Sequence, residues 1–236
     1  MTKSGRRARG RYRRGMTATE QALPGEPGPI AVPLDRYRAR LTGVVWPAAL
    51  PNRGRLWRRD VFAVADAWRT GSSTSRDLAL ATILWGFGPT QYGPYRAAQI
   101  LAADPDGHRL DVGLAFVRGN SPTVDQLRAA YVAFCPRQPA HVRGLGPAFF
   151  TKLLYFAGYR RRQGAVQPLI LHAVVAGRLP EAAGPARRRK WGWRSAEWVE
   201  YLRWAADEAA RPRFGGEPDE VEMALFAGRW TADAGC

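Results

Sequence analysis

His141-Val142-Arg143-Gly144-Leu145-Gly146-Pro147-Ala148-Phe149-Phe150-Thr151-Lys152-Leu153-Leu154-Tyr155-Phe156-Ala157-Gly158 reads as helix, tight Gly-Leu-Gly turn, helix, a hairpin spanning residues 138–158. The glycines admit backbone angles closed to other residues and let a ligand approach closely. Pro147 suits the first turn of the second helix, where its missing N–H is no loss. Gly158 suits the stop. Unpaired N–H groups at the start of that second helix form an anion site, which in a basic protein points to a nucleic-acid phosphate. The same pattern also suits an ordinary helix–turn–helix joint inside a core.

The charge favours the phosphate. The 236 residues carry 36 Lys and Arg against 20 Asp and Glu, a net +16. Only Lys3, Lys152 and Lys190 are lysines. Met1–Gly15 holds seven basic residues and no acid, which leaves +9 on the rest. Such a balance favours polyanions: DNA, RNA or an anionic membrane surface. Residues 1–30, rich in Arg, Gly and Pro without an apolar period, read as a disordered arm adding salt-sensitive phosphate affinity. No apolar run approaches the roughly 20 residues of a membrane span, and no apolar stretch of a signal peptide follows the basic start. Two cysteines, Cys135 and Cys236, make no disulfide framework and fit a reducing cytoplasm. Neither has metal-ligand spacing, so no metal site is expected.

Residues 31–236 read as one all-α domain, since few segments alternate with period two. Leu56, Val61, Phe62, Val64, Ala65 and Trp68 make an apolar helical stripe flanked by Arg55, Arg58 and Arg59. Thr74-Ser75-Arg76-Asp77 caps a helix through Leu84 that stops at Trp85-Gly86-Phe87-Gly88-Pro89. Tyr92–Ala103, Leu110–Val117, a helix at 123–134 capped by Ser121, Leu169–Leu179, a helix from a Ser195 cap to Ala210, and Pro218–Phe226 complete the set. The basic loop Gly184–Gly192 encloses Trp191 and suits either phosphate contact or a solvated connection.

Leu84–Arg96, Gly144–Lys152, Pro168-Leu169-Ile170-Leu171-His172 and Asp219–Phe226 together resemble the helix-hairpin-helix DNA glycosylases. More closely, they resemble the bacterial proteins described as 8-oxoguanine DNA glycosylase OGG-fold proteins. The resemblance spans about residues 40–228. It implies a two-lobed all-α fold with a cleft, acting on double-stranded DNA in the cytoplasm, at the nucleoid, as a monomer without a cofactor. A monovalent cation on the hairpin turn belongs to the same expectation. The DNA-binding residues would be Arg143, Gly144, Leu145, Gly146 and Ala148. A damaged or modified base, 8-oxoguanine or a hypermodified phage base, would flip into a pocket walled by Trp85, Phe87, Tyr92 and Tyr95. The activity implied is DNA N-glycosylase (hydrolase) chemistry, with or without a lyase step, in base excision repair or phage defence.

Two positions depart from the family's pattern. Where the family carries an Asp that stabilises positive charge on the sugar, this chain has His172. Where bifunctional members carry a nucleophilic Lys, it has Ala148, and Lys152 stands one turn further along the same face. Lys152 and His172 are therefore the candidate catalytic residues. With no carboxylate in 136–180, an acid would come from elsewhere, with Asp60, Asp66, Asp111 and Asp125 as candidates. The rival readings are a non-catalytic DNA-binding protein of the same fold and, from the Arg-rich arm alone, an RNA-associated protein.

Overall fold

The computed structural model describes residues 26–163 and 166–232. Ten α-helices, four short 3-10 helices and one two-residue strand pair make up the regular structure among them, so the chain is all-α. Most of the expected arm, residues 1–25, lies outside the described residues, as does Cys236. Residues 26–30 are not a free tail. Strand β1 (Ile30–Ala31) pairs antiparallel with β2 (Arg55–Leu56), and the Glu26 carboxylate accepts from the Arg58 N–H at 2.8 Å.

Helix α1 (Leu34–Arg40) packs on α4 (Gly93–Ala103), and α2 (Arg58–Arg69) on α3 (Ser75–Phe87). Thr74 caps α3 reciprocally with Asp77. Helix α3 carries apolar residues all round, as a helix buried on every side must. It continues past Leu84 through Trp85 and Gly86 to Phe87, so both residues project from helix and not from a loop. The chain leaves at Gly88, whose φ of +52° a side chain would resist. Helix α5 (His108–Leu114) leads to α6 (Val124–Ala133), whose cap is Thr123 and not Ser121. The Thr123 Oγ1 accepts from Gln126 N, and the Gln126 amide accepts from Thr123 N.

Helix α7 (Pro147–Gly158) is the element that α2, α3 and α6 all touch. It begins at Pro147 as read. The hairpin's first arm, however, is not helical: α6 ends at Ala133, and residues 134–146 run through turns. The segment 169–179 also departs from expectation. Only Ala173–Ala176 (α8) is helical, and Leu169–Leu171 is buried outside any regular element. Its backbone finds partners on side chains. Trp198 Nε1 donates to the Leu169 carbonyl, the Tyr201 hydroxyl to that of Ile170, and Leu171 N–H donates to Thr151 Oγ1. That satisfies the polar groups a helix would otherwise have satisfied. Helix α9 (Ser195–Ala209) starts one residue after the cap position, which Arg194 occupies in place of Ser195; its N–H is taken by Glu197 at 2.7 Å. Helix α10 (Pro218–Ala227) packs on α8 and α9. The buried apolar residues form one continuous cluster, not two separate cores. No described helix is long and apolar enough to cross a membrane.

Candidate active site and hairpin

A cavity of about 240 Å³ opens where the two halves of the chain meet. Arg58 from α2 and Trp85 and Gly86 from α3 line one side. Lys152 from α7, His172 and Phe226 from α10 line the other, and Pro27, Gly28 and Ile30 of the N-terminal strap complete it. Trp85 and Phe226 supply aromatic walls; Arg58, Lys152 and His172 supply the polar ones.

Lys152 is buried, 7% exposed. Helical side chains point back toward the N-terminus. Its Nζ accordingly reaches one turn back and donates to the Ala148 carbonyl at 2.6 Å. The amine thus stands at the level of Ala148, although its Cα lies a turn beyond. The Phe149 ring lies under the amine, 5.1 Å from ring centre to Nζ. Burial, opposed by Glu222 and reinforced by Arg58, lowers the Lys152 pKa to about 7. Gly86 makes this placement possible. A Cβ there would stand 2.8 Å from Phe149 Cε1 and 3.3 Å from Lys152 Cδ.

His172 caps α8. Its Nδ1 accepts from Val174 N at 3.2 Å and lies 3.5 Å from Val175 N. With Nδ1 accepting, the ring proton is assigned to Nε2. Burial, then the charges of Lys152 and Arg58, lower its pKa to about 3, so it stays neutral near pH 7. The residue in the family's acid position therefore keeps a helix cap but brings no negative charge.

The carboxylates come from α10, and not from Asp60, Asp66, Asp111 or Asp125. Those four are engaged elsewhere, by Arg53, Arg69, Ser75 and the first turn of α6 respectively. Glu222 is fully buried and ion-paired with Arg58 at 2.6 Å. Burial raises its pKa, while Arg58 opposes the rise. Arg58 also donates to the Tyr155 hydroxyl, which donates to Asp219 at 3.0 Å, and Asp219 takes both a bidentate contact from Arg161 and the Tyr159 hydroxyl. A polar spine thus runs from Glu222 through Arg58 and Tyr155 to Asp219 and to Tyr159 at the far end of α7. The residues that sequence reasoning missed are Arg58, Gly86, Phe226, Glu222 and the strap. The spacing of Glu222 and Phe226, four apart on α10, was the available signal.

Of the four residues expected to wall a base pocket, only Trp85 lines this cavity. Phe87 is buried beneath Phe149 and Tyr92, at 4.2 and 5.7 Å between ring centres. Tyr92 and Tyr95 are 60% and 50% exposed, and Tyr95 lies under Arg40 on a separate surface. Phe87 is the last residue of α3, Tyr92 caps α4 and Tyr95 lies on its first turn, and none of the three lines the cavity.

At the hairpin, Gly144 takes φ +89°, and a Cβ would press on Ile100 at 3.2 Å. Gly146 is in an ordinary extended conformation. Leu145 points into the core and Arg143 outward. The N–H groups of Gly144, Gly146 and Ala148 have no acceptor among the described residues. Three carbonyls of the turn accept hydrogen bonds: Val142 from Leu145, Gly146 from Phe149 and Phe150, and Gly144 from the Arg96 guanidinium at 3.3 Å. The chain supplies a cation of its own at this turn. No curated protein and no solved structure shows a significant match to the sequence. The model of the family described as "Putative 8-oxoguanine DNA glycosylase OGG-like protein" matches residues 26–226, and the chain belongs to that family.

Proposed function

We propose that the protein is a DNA glycosylase that flips a damaged or modified base into the Trp85–Phe226 cavity and uses Lys152 as its nucleophile. The observation that carries this reading is the Lys152 amine, held at the Ala148 carbonyl inside the cavity with a pKa of about 7. About half of such an amine is neutral at neutral pH, as nucleophilic attack requires. Its lone pair would form a bond to the sugar C1′ as the N-glycosidic bond breaks. The bonding pair leaves with the base, which takes up a proton. Sugar ring opening then gives a lysine–DNA imine, which water hydrolyses. The open hairpin N–H groups with Arg143 would grip the backbone of double-stranded DNA.

His172 favours a second reading, in which the fold binds DNA without cutting it, because that position brings no negative charge to the sugar. Borohydride trapping separates the two. Duplexes carrying 8-oxoguanine, a panel of modified bases, or an abasic site are incubated with wild type and Lys152→Ala. The expected result is a covalent complex with wild type alone. Tight duplex binding with no trapped complex on any substrate would replace the catalytic reading with the binding one. No duplex binding at all would sink both.

A further inference from the structure

The loop Gly184–Arg194 presents five basic residues and no acid around Trp191, and Trp191 is 78% exposed. Exposed tryptophans are costly to leave in water. This one does not belong to a loose loop. Its neighbour Trp193 is buried, donates through Nε1 to the Ala186 and Arg189 carbonyls, and accepts the Tyr131 hydroxyl at 2.6 Å on its own carbonyl. Arg189 donates to the Gly192 carbonyl and pairs with Glu197. The backbone on both sides of Trp191 is thereby held, and the indole projects into solvent. Its place is also informative. Gly192 and Trp193 line one cavity of about 400 Å³ together with Arg96, Gly144, Gly146 and Pro147 of the hairpin turn. An exposed indole on a held backbone therefore stands next to the residues that line the surface where the open N–H groups lie, with Lys190 exposed beside it.

We infer that Trp191 is a stacking platform for an unpaired DNA base adjacent to the strand gripped by the hairpin. The inference rests on the DNA-binding reading above. The chemistry is that of single-strand recognition: a cationic groove tracks phosphates while an aromatic face takes a base whose own stacking partner is missing. A fully paired duplex offers no free base face, so Trp191 would add little to its binding.

The test compares an intact duplex with the same duplex interrupted by a short single-stranded gap, measured by fluorescence anisotropy of labelled DNA across a salt series. Wild type is expected to bind gapped DNA at least about fivefold more tightly than intact duplex. Trp191→Ala should abolish that preference and leave intact-duplex binding unchanged, while Trp191→Phe retains most of it. Because stacking releases no counterions, Trp191→Ala should keep the salt slope, whereas Lys190→Ala should reduce it by about 0.9. Equal binding of gapped DNA by wild type and Trp191→Ala would overturn the platform, as would an equal loss on both DNAs. Failure of wild type to bind either DNA would instead overturn the DNA-binding reading itself.

Discussion

Replacing Lys152 by Met should change stability in a way that depends on pH, with a sign and a size set by the burial of the amine. The wild-type side chain has a pKa of about 7 in the folded protein against 10.5 when unfolded. Between those values the unfolded chain holds more protons than the folded one, so raising the pH stabilises the folded state. The slope is about 1.4 kcal/mol per pH unit, and the whole interval is worth about 5 kcal/mol. Below pH 7 both states are protonated and the contribution is flat, with the cost of burying the charge at its greatest. Met fills a similar volume without a charge, so Lys152→Met should be the more stable protein at pH 7 and lose that advantage as the pH climbs toward 10. Urea unfolding of both proteins from pH 6 to 10 gives the difference directly, and contributions from groups that do not sense the Lys152 charge cancel in it. A difference that stays flat over this range would show that the amine is not buried as described, and the case for a neutral nucleophile would go with it.

Glu222→Gln leaves Arg58 buried without its counter-charge and should cost about 3–5 kcal/mol, read from the urea midpoint; Arg58→Met with Glu222→Leu should recover most of that loss. Gly86→Ala should push Phe149 and the Lys152 stem aside, slowing borohydride trapping about tenfold while leaving duplex affinity within about twofold. His172→Asp should keep the α8 cap, since Asp is a favoured cap residue, and place an anion beside Lys152. The midpoint of the pH–trapping profile should then move upward, by about one unit. An unmoved midpoint would mean that position 172 does not sense the amine.

Where the decisive contacts are local, the sequence was legible. The Thr74–Asp77 cap, the Pro147 start of α7 and the Pro218 start of α10 each involve residues within a single turn. The reading failed where backbone groups are satisfied from a distance. Leu169–Leu171 has the apolar content of a buried helix, but side chains of α7 and α9 take its hydrogen bonds, which no local pattern records. At the site, Lys152, His172 and Trp85 could be named because they stand near the hairpin or within the matched blocks. Arg58 could not, since an Arg among arginines reads as surface charge, and Glu222, although inside a matched block, reads as surface charge in an acidic helix start. Only their meeting, across more than 160 residues of chain, makes them a buried pair. Phe87, Tyr92 and Tyr95 do not line the cavity: Phe87 ends α3 against Phe149, and Tyr92 and Tyr95 lie at the start of α4.

The burial of Lys152 has a bearing on how the protein comes into being. As the chain is made, Lys152 emerges early, exposed and protonated like any surface lysine. Its cavity is finished only when Phe226 arrives from α10, near the C-terminal end of the described chain, and meets the strap at residues 27–30 from the opposite end. Contacts that distant in sequence form late. The amine gains its unusual acidity only once those two ends have met. A nascent, truncated or misfolded copy would carry an ordinary lysine, so the nucleophilicity proposed for this amine is withheld until folding is complete.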